Sequence, residues 1–348
     1  MSLVTPLVDP GLGNTSWVID LGDQRVAVVD PGRHPGRYLA EAERRGARVA
    51  FSVETHLHAD FVTGSRELAA FGATVVASAG AELGWPHRPV ADGDAVAVGG
   101  LTLRALATPG HTPEHLAYLL TDGDLPVGVF TGGSLLVGAV ARTDLIAPDQ
   151  TDGLARALWR SVHDQLLTLP DDTRVYPTHG AGSFCSAPAT DRRWTTIGAE
   201  RRTNPLLGAP DEDAFVAALT ASLGTYPPYF GHLRAVNRAG PRLLGIALRD
   251  DFASWLGWLV ERDQPLVFVV GADQDRAELV RQCHQIGYDH LLGELAGGTT
   301  AWAAAGLPVA RTGLVDAAEI DGRVLDVRQD AEHAAGHVPG TDHIELGD

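Results

Sequence analysis

Lysine is missing from this chain altogether: all 27 basic residues are arginine, set against 44 acidic ones. The net charge of −17 argues against nucleic acid and anionic membrane surfaces as partners. Beside abundant Ala and Gly, the want of Lys reflects genomic base composition and says little about chemistry. Cysteine is nearly absent too, with only Cys185 and Cys283, which excludes a disulfide framework. No apolar run approaches the ~20 residues of a membrane helix. The opening Met-Ser-Leu-Val-Thr-Pro lacks the charged-then-apolar order of a signal peptide. The expectation is a cytoplasmic enzyme in a reducing compartment.

What is present is ample core material, 45% hydrophobic, in 348 residues, enough for two or three domains. The informative stretch is Thr55–Gly64, Thr-His-Leu-His-Ala-Asp-Phe-Val-Thr-Gly. The alternation of Val49–Glu54 predicts a strand before it, and Ser65 onward a helix after it. His56, His58 and Asp60 therefore sit in a loop at a strand end, spaced to aim two imidazoles and a carboxylate at one point, as a metal site needs.

The first ~200 residues alternate strands and helices. Residues 16–20 and 25–30 predict a hairpin, 37–45 a helix, 73–78 a strand, and 94–98 with 101–107 a pair about Gly99-Gly100. That pair runs into Thr108-Pro-Gly-His111-Thr-Pro-Glu-His115. Strands at 116–120 and 127–131 follow, then an amphipathic helix over 152–169 with Leu154, Leu158, Val162 and Leu166 on one face. Arg174-Val-Tyr leads to Pro177-Thr-His179-Gly. Each His cluster falls just past a strand. After a helix at 211–223, the Pro/aromatic segment 224–230 reads either as a lid, with Tyr226 and Tyr229 meeting substrate, or as an interdomain connector.

The Thr-His-x-His-Ala-Asp run, the Pro-Gly-His turn, the Thr-Gly-Gly133 segment with Arg142-Thr-Asp144, and the last His179 occur in the order of the metallo-β-lactamase fold, and the chain resembles that family. The resemblance implies an α/β fold, a four-layer αββα sandwich over residues 1–238. Within the fold, the details resemble the persulfide dioxygenases, including those fused to rhodanese domains. That resemblance implies one Fe(II), held at the positions of His56, His111 and residue 133. Here residue 133 is Gly where the family has a carboxylate, and Phe61 stands where a His is usual. The remaining imidazoles, His56, His58 and His111, make a complete three-His site for Fe(II) or Zn(II), with Asp60 and His179 as supporting catalytic groups. Arg142 is expected to pair with a substrate carboxylate such as glutathione's, and Asp144 to hold the Arg142 loop. The small-molecule partner implied is a thiol persulfide, oxidised with O₂; a homodimer is open to the chain. Cys185 reads either as a redox thiol near the metal or as a small buried residue.

From about residue 239 the grammar restarts: strand 243–248, helix 252–261, strand 266–270, helix 274–286, and Gly297-Gly298 opening helix 299–305. The order resembles a rhodanese domain over 239–312, a small parallel α/β unit. The loop after its second strand, Gly271–Arg276, holds no Cys, and Cys283 reads as core, so the resemblance implies a degenerate, non-catalytic copy. Residues 313–348, with Asp-Val-Arg at 326–328 and Gly336-His-Val-Pro-Gly, resemble the start of a second one. The alternatives are a zinc-dependent thioester or lactam hydrolase on the same fold, and a catalytically decayed sulfane-sulfur binding protein.

Overall fold

The computed structural model describes residues 2–185, 192–240, 248–261, 264–306, 325–326, 330–337 and 339–344. It divides into two compact units, Met1–Arg242 and Leu243–Asp348.

The first unit is built on two six-stranded sheets. One contains β1 (Val4–Val8), β2 (Thr15–Asp20), β3 (Arg25–Val29), β4 (Arg48–Val53), β5 (Thr74–Ser78) and β6 (Arg88–Val90), in that order, with α1 (Gly36–Arg44) and α2 (Ser65–Ala70) in the connections. The first three strands are antiparallel, and β3 to β6 run parallel. The other sheet contains β7 (Ala95–Val98), β8 (Leu101–Ala107), β9 (Leu116–Asp122), β10 (Leu125–Gly132), β11 (Arg174–Pro177) and β12 (Thr195–Thr196), again adjacent in chain order. Between β10 and β11 the chain crosses over through α3 (Thr151–Arg160), which continues as a wider π-helical segment, Ser161–Leu166. That crossover lets β11 lie parallel to β10.

The period-two side-chain pattern sorts the residues into layers. Trp17, Ile19, Ala27, Val29 and Val53 face Val96, Leu103, Tyr118, Leu120 and Phe130 across the space between the sheets. Their alternates Val18, Val26, Val28 and Val49 pack outward on Tyr38, Ala42 and Leu68 of α1 and α2. On the second sheet, Ala117, Leu119, Val129 and Val175 pack outward on Leu158 and Val162, on Ile197 of α4 (Ile197–Thr203), and on Phe215 and Leu219 of α5 (Glu212–Ser222). The result is the αββα sandwich. At roughly 1.5–3 kcal/mol for each large side chain taken out of water, these three layers supply most of the stabilisation that holds the site. Strands β1 and β6, helix α4 and helix α6 (Phe230–Ala239) are elements that the sequence pattern does not announce.

In the second unit, α7 (Phe252–Leu259), β13 (Leu266–Phe268), α8 (Arg276–Gln285), β14 (Leu291–Glu294) and α9 (Gly298–Ala304) follow one another, and β13 and β14 pair in parallel. Phe252, Leu256, Leu279, Tyr288 and Cys283 form its core. The strand expected at 243–248 falls almost wholly outside the described residues, as does most of 313–348.

Candidate metal centre

Five strand ends meet at one edge of the sandwich. Asp30 follows β3, His56 and His58 follow β4, His111 lies between β8 and β9, Gly133 follows β10, and His179 follows β11. Asp30 has a left-handed backbone (φ 49°), unusual for a side-chain-bearing residue. Its carboxylate accepts hydrogen bonds from the Thr55 amide (2.7 Å), the Thr55 hydroxyl (2.7 Å) and the Thr178 hydroxyl. It thus ties the β4 and β11 loops together at the bottom of the site.

The structure brings His56, His111 and His179 together, with one ring nitrogen from each within 4.8 Å of the others. The outer partners decide which nitrogens face inward. The Thr55 hydroxyl donates to Asp30, so its oxygen accepts from Nδ1 of His56 at 2.8 Å. The Arg142 carbonyl accepts from Nδ1 of His111 at 2.6 Å. Nδ1 of His179 lies 3.2 Å from Oδ1 of Asn14 and 3.3 Å from Oδ2 of Asp60. Each imidazole therefore spends its hydrogen outward and presents a bare Nε2 inward, the arrangement seen in metal-binding histidines. Nε2 of His56 and Nε2 of His179 are 3.4 Å apart. Two imidazoles on one tetrahedral ion, each about 2.0–2.1 Å from it, hold their nitrogens roughly 3.3–3.4 Å apart. The donor set fits a divalent ion. Burial, with the neighbouring rings, keeps His56 and His111 neutral: His56 titrates well below its ordinary range, and His111 is pushed down to about 3 by burial and by His179.

His58, expected beside His56 and His111, lies outside the triad of His56, His111 and His179 and falls instead in two other groups, with Asp30 and His56 and with Asp60 and His179. Its Nε2 lies 3.3 Å from Asp30 and 3.3 Å from Glu54, in a wholly buried setting. Burial alone would depress it, but Asp30 first and Glu54 next overrule that and raise it to about 10. His58 is the cation that balances two buried carboxylates. Phe61, in place of the usual His, stacks on the His58 ring at 4.1 Å. His179, expected as a support, stands instead among the converging nitrogens.

Gly133 is explained by the same packing. A Cβ there would come within 2.4 Å of the His111 ring, so that ring occupies the space where the family's carboxylate would begin. The Gly133 amide donates to Nε2 of His115 at 3.0 Å, and the His115 ring stacks on His56 at 4.9 Å. Gly110, next to His111, has φ 148° and lies so close to Leu158 on α3 that an added Cβ would sit 2.4 Å from the Leu158 Cβ and 2.6–2.8 Å from its backbone. The Ser161 hydroxyl, at the start of the π-helical segment, donates to Pro109 at 2.7 Å. That helix is the floor of the His111 turn.

Asp60 is buried, and neither of its oxygens has a hydrogen-bond partner. Burial opposes its charge, but His179 and then His58 hold the carboxyl well below the usual range, so it is an anion beside the triad. Cys185 is fully buried in an apolar cluster with Ala59 and Phe230. Burial and then Asp60 push its thiol well up, so the redox-thiol reading gives way to a protonated, enclosed one.

Arg142, expected to pair with a substrate carboxylate, is engaged within the protein. It is only 5% exposed; its Nε and Nη2 grip Asp144 at 2.7 and 2.8 Å, Nη1 donates to the Phe184 carbonyl, and Nη2 donates to the Gly224 carbonyl. Tyr226 lies on its guanidinium face at 4.4 Å. With four of its five N–H donors engaged, Arg142 clips three loops together. Tyr229 is partly exposed at the rim and donates from its hydroxyl to the Asp60 carbonyl at 3.2 Å.

Helix α6 carries residues that sequence reasoning missed. The Asn237 amide donates to the carbonyls of His58 and Phe61 and accepts from the Thr63 amide, pinning the first His loop. Arg234 holds Glu114 at 3.0 Å, and Glu114 accepts the Leu57 amide. No motif marks these residues; their chain separation of more than 100 positions hides the contact.

A family model described as the metallo-beta-lactamase superfamily matches residues 9–179. The chain is 31% identical over 211 residues to the mitochondrial persulfide dioxygenase ETHE1 of Bos taurus, which spans 59% of this chain and 76% of that protein. Among solved structures, ETHE1 from Myxococcus xanthus is 32% identical with a TM-score of 0.60, covering 68% of this chain and 99% of that one. A metallo-beta-lactamase from Staphylococcus aureus is 26% identical with a TM-score of 0.65, covering 84% and 98%.

Proposed function

We propose, for a chain that belongs to the metallo-beta-lactamase superfamily, that it is a mononuclear iron oxygenase of sulfur metabolism acting on a low-molecular-weight persulfide of the glutathione persulfide kind. In the balanced reaction, R–S–SH, O₂ and water give R–SH, sulfite and two protons; the terminal sulfur loses four electrons and O₂ gains them. The observation that carries this reading is the convergence of three imidazoles, of His56, His111 and His179, with no acidic side chain in that group. Iron(II) bound there would supply redox chemistry with O₂ and open positions for a sulfur ligand.

The chain's own groups have distinct tasks. Asp60, an anion held well below the usual carboxyl range, places a buried negative charge 3.3 Å from Nδ1 of His179. The three ligands are 1–3% exposed, so the site excludes bulk water. A two-zinc hydrolase is the second reading, favoured by the grouping of His58, Asp60 and His179. It suffers from the engagement of His58 with Asp30 and Glu54 and from the missing donors at Phe61 and Gly133.

For residues 239–312 we read a degenerate rhodanese-like domain, and for 313–348 the start of another. In the former, the loop where a nucleophile would stand is filled by its own side chains: Gln274 accepts the Gly271 amide, and Arg276 donates to the carbonyls of Gly271 and Gln274.

Metal analysis and oxygen uptake test the reading. We expect one iron per chain and uptake of O₂ with glutathione persulfide. Two zinc ions without iron, or an iron-loaded sample that consumes no O₂, would reject it.

A further inference from the structure

We propose that Asn14 is a positioning residue of the metal centre: its side-chain oxygen takes the outer hydrogen of His179, which turns the inner nitrogen of that ring toward the ion. This rests on the three-imidazole reading above.

Asn14 is buried, with its Oδ1 3.2 Å from Nδ1 of His179. The two residues also pair through their backbones as an isolated antiparallel bridge, and the Thr15 amide donates to the Thr178 carbonyl at 2.8 Å. Next to it, Gly13 (φ 74°) is pressed so closely on the 181–183 backbone that a Cβ would lie 2.3–2.6 Å from it. The β1–β2 turn is therefore fastened to the loop that carries His179, and the Asn14 side chain cannot drift from the ring.

A neutral imidazole has one hydrogen for two nitrogens. Were it on Nε2, it would point at Nε2 of His56, 3.4 Å away, and close the ion's place. An acceptor at Nδ1 prevents this. Two candidates flank that nitrogen, Asn14 at 3.2 Å and Asp60 at 3.3 Å. Asn14 is the nearer and is fixed by the backbone bridge, so its neutral oxygen takes the hydrogen, with Asp60 Oδ2 as the second, charged neighbour of the ring.

Cobalt(II) titration of the metal-free full chain, followed by visible absorption, is the test. N14L keeps the side chain's approximate size without the acceptor, and we expect it to weaken cobalt binding about 10–100-fold. N14D restores an acceptor at the same place and should recover most of the loss, which a purely structural role for Asn14 would not require. Histidine nitrogen NMR of the wild-type zinc form should show His179 protonated at Nδ1, a readout independent of whether N14L folds. Unchanged cobalt affinity and spectrum in N14L, or an Nε2–H His179 in the wild type, overturns the inference alone. A wild-type chain that binds no cobalt overturns the three-imidazole reading and this inference together.

Discussion

Two clusters share the first His loop and are made of the same residue types, yet they do opposite work. On one side the outer nitrogens of His56 and His111 meet only neutral oxygens, the Thr55 hydroxyl and the Arg142 carbonyl, and burial keeps both rings uncharged. On the other side, two residues along, His58 meets Asp30 and Glu54, and the same degree of burial ends in an imidazolium. The lesson is that burial does not set a histidine's role; the charge of what faces its nitrogens does. A ligand needs a lone pair, and a counterion needs a proton.

The comparison is broken most severely by removing a triad ring. H56A, H111A or H179A should each abolish stoichiometric metal binding, measured on purified protein by elemental analysis, while H58A should retain the metal. If H58A loses metal and H179A does not, the assignment is reversed. Next in size, H58A leaves Asp30 and Glu54 buried without their cation and should cost about 3–5 kcal/mol of stability in urea unfolding. G133D would drive its side chain into the His111 ring, and we expect at least tenfold weaker metal binding rather than the gain that an added carboxylate would bring to an open site. Smaller again, N237A removes the amide that pins the His58 and Phe61 carbonyls and should cost about 1–3 kcal/mol.

The gentlest test is pH. Glu114 is buried, which raises its pKa, but Arg234 more than offsets that and holds it below its ordinary value. Its contribution to stability is therefore present above the ordinary carboxyl range and is lost as pH falls through the lowered folded value. Acid unfolding of wild type and E114Q should converge at low pH and separate toward neutrality; parallel curves would show that the pair carries no such linkage.

Much of the framework was readable from residue pattern alone. The alternation of Val, Ala and Leu marks the β2–β3 hairpin, β4 and the β7–β10 meander, and the His loops fall where these strands stop. The choice among histidines was not readable. It depends on Asp30, 26 positions before His56, taking a left-handed turn that lets it reach Thr55, Thr178 and His58 at once. Helix α6 was hidden for a different reason. It starts after Pro227-Pro228 with no capping side chain at Tyr229, and its importance lies in Arg234 and Asn237 reaching a loop more than 100 residues upstream. Edge strands β1 and β6 each contain a proline and are three to five residues long, too short for periodicity to speak.

The seating of Gly110 against Leu158 has a consequence for anyone rebuilding this centre elsewhere. The turn that offers His111 has no room of its own; it borrows its shape from a helix more than forty residues later in the chain. Transplanting the histidine-bearing loops without that helix would carry over the ligands and leave behind the mould that aims one of them.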